Sequence, residues 1–356
     1  MAEVNRSVSA IDLFCGVGGL SYGLQQSGIK VMAGFDIDAR CKYPFEKNID
    51  AAFIDQDVRT ITGKQLARLW EPDSVRVLAG CAPCQPFSPH RRGQDTSEEK
   101  EWSLLGHFGR LVDETLPDMV TMENVPRIAK TEVFQAFIRV LQKSGYEVTY
   151  KSCYGPEYGL PQNRRRLVLI ASKHGRIDIP KGDYKPGNYV TVRKAIYGLP
   201  DIASGQTDAL DPLHKSRSLS DLNLRRIRAS RPGGSWKDWP EELRSPCHRR
   251  ASGATFRNVY SRMEWNEPAP TITTMAYNFG TGRFGHPEQD RAISLREAAI
   301  LQSFPPSYQF VQPGKPVEFT PIGRLIGNAV PPVIAAAVGK VLVSHRGTAS
   351  SKGASK

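Results

Sequence analysis

The sequence predicts an α/β fold: a doubly wound, mostly parallel sheet with a smaller irregular domain inserted before the chain returns to the sheet. Three observations lead there. Short apolar runs alternate with helical stretches through the first half. The first run ends in a cluster of glycines at a strand-to-helix turn. After about Ser172 the periodicity fades into a segment rich in Gly, Pro, Arg and Ser, and regular patterning resumes near Ser294. Strands alternating with helices bury both faces of a sheet and place ligands at the strands' carboxyl ends.

The elements follow in order. Ser9–Phe14 is a strand, followed by the glycines and a helix over Leu20–Gln26. Lys30–Asp36 is a second strand and Asp38–Asn48 a second helix. Val75–Ala79, Met119–Met122 and Leu167–Ala171 are apolar runs short enough for buried strands, with helical stretches such as Glu132–Lys143 between them. Ser294 stands three residues before Glu297, a capping-box start for a helix to Gln302. An apolar helix follows Pro331 and Pro332 and runs to about Val343. The expected boundaries are 1–185 for a catalytic and cofactor-binding domain, 186–290 for the insertion, 291–345 for the return, and 346–356 for a disordered Gly/Ser/Ala/Lys tail.

Composition narrows the classes of function. Hydrophobic residues make up 40% and charged residues 24%, as in soluble globular proteins. No run of apolar residues approaches the ~18 that suggest a membrane span, and Met1–Ser9 has no apolar signal core, so no membrane partner and a cytoplasmic location are expected. The net charge of +12 favours a polyanionic partner. Between Lys215 and Trp265 there are 12 Lys/Arg against 5 Asp/Glu, with Trp236, Trp239 and Trp265 among them. Such a segment suits a nucleic-acid surface, or else an irregular solvated domain. Six cysteines in 356 residues make no disulfide framework.

Two motifs carry chemistry. The turn Asp12-Leu13-Phe14-Cys15-Gly16-Val17-Gly18-Gly19-Leu20 lets backbone approach a ligand closely and opens a helix whose N-terminus suits a carboxylate. The dinucleotide fingerprint needs glycine where Ser21 stands, and a plain structural turn would use the same glycines. Asp36, ending the second strand, could accept ribose hydroxyls, and Asp57 an adenine amino group; either could equally be a solvated acid. The second motif is Gly80-Cys81-Ala82-Pro83-Cys84-Gln85-Pro86-Phe87-Ser88. Its C-x-x-C admits a redox pair, although prolines follow too soon for a clean helix. A zinc knuckle would need a second pair, and Cys247-His248 has the wrong spacing. A third reading makes Cys84 a single nucleophile on a proline-bounded loop. Spacing does not choose among the three.

The whole constellation does. The sequence resembles the DNA cytosine-5 methyltransferase family, whose bacterial-type motifs recur in order: Asp12–Leu20, Pro83-Cys84-Gln85-Pro86-Phe87-Ser88, Glu123-Asn124-Val125-Pro126, Gln162-Asn163-Arg164-Arg165-Arg166, Arg296-Glu297-Ala298-Ala299, Gln302-Ser303-Phe304-Pro305 and Gly327-Asn328-Ala329-Val330-Pro331. The likeness covers roughly residues 9–343. It implies a class I methyltransferase, Rossmann-like sheet binding S-adenosyl-L-methionine, and double-stranded DNA as substrate. By resemblance Cys84 is the nucleophile, Glu123 holds ring nitrogen 3 and the exocyclic amine of cytosine, and Arg166, with Arg164 beside it, contacts the base's carbonyl oxygen.

The cofactor would lie against Phe14, Gly16, Val17, Gly19, Asp36, Ile37, Asp57, Val58, Pro83, Leu104 and Asn328; no metal is implied. Helix packing is the alternative for Asn328, and for Arg165 an exposed basic residue is the preferred reading. The family commonly has glutamate where Asp36 stands, and glycine or proline around Cys81 and Ala82. The basic insertion becomes a target-recognition domain, closed by Pro268–Thr273, and residues 89–103 a loop over the site.

The chemistry requires these residue types. Carbon 5 of cytosine is too electron-poor to attack a methyl sulfonium until a thiolate adds at carbon 6. A thiol with its pKa near ~8.5 is only slightly ionised at neutral pH and needs a positive neighbour or proton acceptor. The target base must also leave the duplex, at a cost of a few kcal/mol.

Three rivals are weaker. A tRNA cytosine methyltransferase shares the motifs, but its Cys-Phe-Thr signature is absent between Ser172 and Ser294. A catalytically silent DNA-binding protein would not need Cys84, Glu123, Arg164 and Arg166, and Ser21 argues against a dehydrogenase. A monomer is expected, with a cognate restriction endonuclease as a conceivable partner.

Overall fold

The computed structural model describes residues 6–83, 102–250 and 259–351, and the chain divides into two units. The first comprises the chain up to Tyr154, Arg165–Gly182 and Val330 onward; the second comprises Gly155–Arg164 and Asp183–Ala329.

The first unit is the α/β sheet. Its strands are β1 (Val8–Leu13), β2 (Lys30–Asp36), β3 (Ala52–Asp55), β4 (Val75–Gly80), β5 (Met119–Asn124), β6 (Glu147–Tyr154) and β7 (Arg165–Ser172), in the spatial order β3-β2-β1-β4-β5-β7-β6. Pairings from β3 through β5 are parallel, whereas β7 is antiparallel to both β5 and β6. All six residues of β1 and of β5 are buried, as strands covered on both faces require. The strand order reverses between β1 and β4, so the carboxyl ends of β1, β2, β4 and β5 form the crevice where such sheets bind ligands.

Helices cover the faces. In α5 (Glu132–Lys143) the buried Phe134, Phe137, Ile138 and Leu141 fall at i, i+3, i+4 and i+7, one stripe of a helix, and Thr131 caps its start. The opening helix α1 (Gly19–Gln26) packs on the closing helix α10 (Pro332–Ser351). A Cβ on Gly23 would lie 2.4 Å from both the Pro332 carbonyl and the Ala335 side chain, so only glycine allows this approach. The helix runs to Ser351, beyond Arg346, where the irregular tail was expected to begin. Phe319–His345 is long and apolar enough by composition to cross a membrane, but it is interrupted at Ala329–Pro331 and 56% of the relevant window is buried.

The second unit has four α-helices among the described residues, α6 (Val192–Ile196), α7 (Asp221–Arg228), α8 (Leu295–Leu301) and α9 (Phe319–Asn328), joined by 3-10 turns and irregular chain with isolated bridges instead of strands. Buried carbonyls without a ladder still need donors, and buried guanidinium groups supply them. Arg262, 6% exposed, donates to the carbonyls of Ile227, Ser230, His286 and Gln289 and pairs with Asp290. Arg226 reaches Leu243 O, Asn223 Oδ1 and Ser245 Oγ while lying over Trp239 and Tyr260.

The expected capping box is present: Ser294 Oγ accepts from Glu297 N, and the Glu297 carboxylate accepts from Ser294 N. Both oxygens of Glu297 also take hydrogen bonds from Arg291, at 2.7 and 2.8 Å. Burial opposes ionisation of Glu297, but the bonds and charge of Arg291 outweigh it and hold the carboxyl down at about 2. Removing one partner of such a buried pair costs about 3–5 kcal/mol.

Candidate active site

The carboxyl end of β1 makes a tight, backbone-lined turn. Phe14 sits at φ 59, Gly16 at φ 53 and Gly18, which caps α1, at φ 89. Positive φ is ordinary for glycine but strained for phenylalanine, a cost characteristic of ligand-binding turns. Asp36, ending β2, clips this turn in place. Its Oδ2 accepts from Gly16 N and its Oδ1 from Asp38 N, both at 2.9 Å. Burial raises its pKa, and these two bonds offset part of that. Ile37, the next residue, is 69% exposed.

An exposed aliphatic side chain, a half-buried phenyl ring and a backbone-anchored carboxylate at adjoining strand ends fit the adenosine part of a cofactor: one apolar face and one acceptor. Val17, Gly19 and Val58 are buried behind this edge, Pro83 is exposed, and Leu104 is half-buried in α4 (Trp102–Thr115). Asp57 caps a 3-10 turn, and its carboxylate is held by Arg59, whose hydrogen bonds lower its pKa.

Ser21, the residue that breaks the dinucleotide fingerprint, has a partner: its hydroxyl donates to Asp12 Oδ2 at 2.6 Å. Asp12 is fully buried and its Oδ1 has no hydrogen-bond partner. Burial therefore pushes its pKa up to about 7, against the lowering by Ser21 and with a further push from Asp36. Between about pH 4 and 7 the folded protein thus keeps a proton that the unfolded chain releases. Stability falls as pH rises through that window, on the order of 1 kcal/mol per pH unit. Asp12→Asn should flatten this slope in urea unfolding followed between about pH 4.5 and 7.5. An unchanged slope would show that Asp12 does not titrate there.

The second part of the site lies on three adjacent strands. Register places Gly80 beside Met122, so Cys81 follows beside Glu123. On the other flank Glu123 faces Val168, and Arg166, two residues away on antiparallel β7, is its diagonal neighbour. Arg166 Nε stands 3.0 Å from Glu123 Oε1, and Cys81 Sγ donates to Oε2 at 3.3 Å. Glu123 is 5% exposed, and its Oε1 has the ion contact but no directed hydrogen bond. The charge of Arg166 thus compensates this buried oxygen without a well-aligned hydrogen bond. The neighbouring Asn124 donates to Ala82 O at 3.0 Å and ties β5 to the segment that leads toward Cys84. Cys84 itself lies outside the described residues, as do residues 89–101 of the loop expected over 89–103, whose last two residues begin α4.

Two expected site residues belong to the second unit. Arg164 is 2% exposed, and its guanidinium donates to the carbonyls of Ile272 and Gly327 at 2.9 and 3.0 Å. Asn328 ends α9 and is exposed. The structure thus brings Glu123 and Arg166 together and gives Arg164 a bracing task. Sequence reasoning assigned no role to Asp12 or to the Asn124 brace, although the motifs containing both had been singled out.

Comparison with known proteins identifies the family. Residues 8–344 match the C-5 cytosine-specific DNA methylase family. The chain is similar to the Type II methylase M.HgiDII of Herpetosiphon aurantiacus, 48% identical over 335 residues that cover 93% of this chain and 94% of that one. It is 30% identical to the Type II methyltransferase M1.HphI of Haemophilus parahaemolyticus, covering 95% and 87% of the two chains. Its fold is like that of a solved E. coli protein described as a 'putative DNA modification methyltransferase' encoded within a prophage, with a TM-score of 0.74 and 24% identity over 95% of this chain and 99% of that one. With the family matched over nearly its whole length, the chain belongs to the C-5 cytosine-specific DNA methylases and is a DNA cytosine-5 methyltransferase.

Proposed function

We propose that the enzyme flips a cytosine out of a specific duplex sequence and methylates it through a covalent adduct with Cys84, using S-adenosyl-L-methionine bound against the ends of β1 and β2. The observation that carries this reading is Glu123, buried between Cys81 and Arg166 with one carboxylate oxygen lacking a directed donor. The Cys84 thiolate adds to carbon 6 of the base, and the electron pair displaced from the ring makes carbon 5 nucleophilic. Glu123 holds nitrogen 3 and the exocyclic amine, stabilising the ring as that charge develops. Arg166 orients the base through its carbonyl oxygen and keeps Glu123 in place. The cofactor supplies an electrophilic methyl group. Loss of the carbon 5 proton then expels the thiolate and frees Cys84.

Phe14 and Ile37 would flank the adenine, Asp36 would accept from the ribose, and Asp57 would accept from the adenine amino group. Gly16, Val17, Gly19, Val58, Pro83 and Leu104 would line the rest. The first unit carries this chemistry and the second chooses the DNA sequence. The enzyme works as a cytoplasmic monomer in a restriction-modification setting, as its likeness to Type II methylases supports.

The arginines proposed to take part in sequence choice differ in burial and pairing. Arg226 is buried in carbonyl and hydroxyl bonds. Arg228 and Arg231 pair with Asp290 and Asp238, and Arg249 donates to Glu241 O. Arg225 and Arg250 stand exposed, and Arg257 lies outside the described residues. Arg225→Ala and Arg250→Ala should each weaken DNA binding. A phosphate contact would reduce the log–log salt slope by about 0.9, and a guanine contact would relax one base position at a cost of roughly 1–3 kcal/mol. Arg226→Ala should instead lower the melting temperature.

Bisulfite sequencing of a plasmid exposed to the enzyme, beside a tRNA substrate, reports activity and target together. Methylated tRNA with unmodified plasmid would overturn the reading. Wild-type affinity and sequence preference in both exposed-arginine variants would overturn the assignment of these two side chains.

A further inference from the structure

We infer that Cys81 is a positioning residue for Glu123, fixing the rotation of the carboxylate that meets the base; this rests on the role proposed for Glu123. The strand order carries the argument. Glu123 lies on β5, between β4 on one side and β7 on the other. Each flanking strand contributes one side chain, and each takes a different oxygen: Arg166 faces Oε1 at 3.0 Å and Cys81 donates to Oε2 at 3.3 Å.

A carboxylate gripped at one oxygen alone can still rotate about its last torsion, which is broad for glutamate. Gripped on both sides it has one orientation, as preorganised electrostatic catalysis requires. The backbone supports the donor. Cys81 N donates to Leu13 O at 3.3 Å, and the Asn124 bond to Ala82 O fixes the residue that follows Cys81. Cys81 extends β4 immediately after Gly80, the last residue in register with β5, so its side chain cannot move far from Glu123 while that pairing persists. Serine at this position would keep a donor of similar reach, and alanine would remove it.

The test is a double-mutant cycle read under single-turnover conditions, with enzyme in excess over a duplex carrying the target site. Cys81→Ala should lower the methyl-transfer rate about 3–10-fold, as expected for loss of a weak donor to a charged acceptor. DNA affinity, cofactor affinity and melting temperature should stay unchanged. Cys81→Ser should restore the rate to within about 2-fold of wild type. In a Glu123→Gln background Cys81→Ala should have no further effect, because coupling vanishes when the partner is gone.

A Cys81→Ala enzyme with wild-type rate would overturn the inference. So would a loss of equal size in the Glu123→Gln background, or failure of serine to rescue. If Glu123→Gln alone retained full rate, the role of Glu123 itself would fall. If only the Cys81 results failed, that role would stand.

Discussion

Replacing Cys84 with serine is expected to abolish methylation, by about 10⁴-fold or more, as loss of a covalent nucleophile does elsewhere. Cofactor affinity should remain close to wild type, because the residues proposed to hold the adenosine lie at the ends of β1 and β2. The same variant should fail to form a stable adduct with DNA containing 5-fluorocytosine. The wild type should form one, since fluorine at carbon 5 leaves no proton to remove and the carbon–sulfur bond cannot be broken by elimination. Denaturing electrophoresis and peptide mapping read both results. An active serine variant, or an adduct on Cys81, would remove Cys84 from its role.

Glu123→Gln is expected to lower the chemical rate by roughly 10²–10⁴-fold, the range of a positioned acid–base group, with little change in DNA affinity. The interaction strengthens as the ring gains charge and so belongs mainly to the transition state. The amide can occupy the same space between Cys81 and Arg166 but cannot carry the charge. Rapid-quench methylation and equilibrium DNA binding separate the two effects. A variant with wild-type turnover at saturating DNA and cofactor would refute the role, as would one whose only defect was weaker DNA binding.

How much of this was legible beforehand depends on burial. The strands β1, β2, β4, β5 and β7 stand out in the sequence because interior strands read as continuous apolar runs. The edge strands β3 and β6 carry no such signal: β3 has four residues with only Phe53 buried among them, and β6 exposes Glu147, Lys151 and Ser152. The antiparallel course of β7 is not encoded in its apolar residues, which are the same in either direction.

At the site, Glu123 and Arg166 were recognisable through their motifs, but the neighbours that shape them were not. That Cys81 touches Glu123 follows from register across two strands 42 residues apart in sequence. The arginines show the opposite difficulty. Read by charge, Arg226 looks like its exposed neighbour Arg225, yet one side chain braces the interior and the other faces solvent.

The short peptide Gly155–Arg164, which belongs to the second unit although it lies between two strands of the first, bears on which segments of the chain can be exchanged between relatives. Gln162 donates to Leu301 O at 2.8 Å and its side-chain oxygen accepts from Ile272 N, while Asn163 reaches Pro268 O and Arg164 reaches Ile272 O and Gly327 O. A recombination event that imported only residues 183–329 from a relative would separate the graft from the donors it evolved with. Buried carbonyls in the graft would then depend on a foreign Gln-Asn-Arg at the same positions. The peptide is thus a compatibility key for the unit it braces: the carbonyls of Leu301, Pro268, Ile272 and Gly327 keep these donors only where residues 162–164 match them.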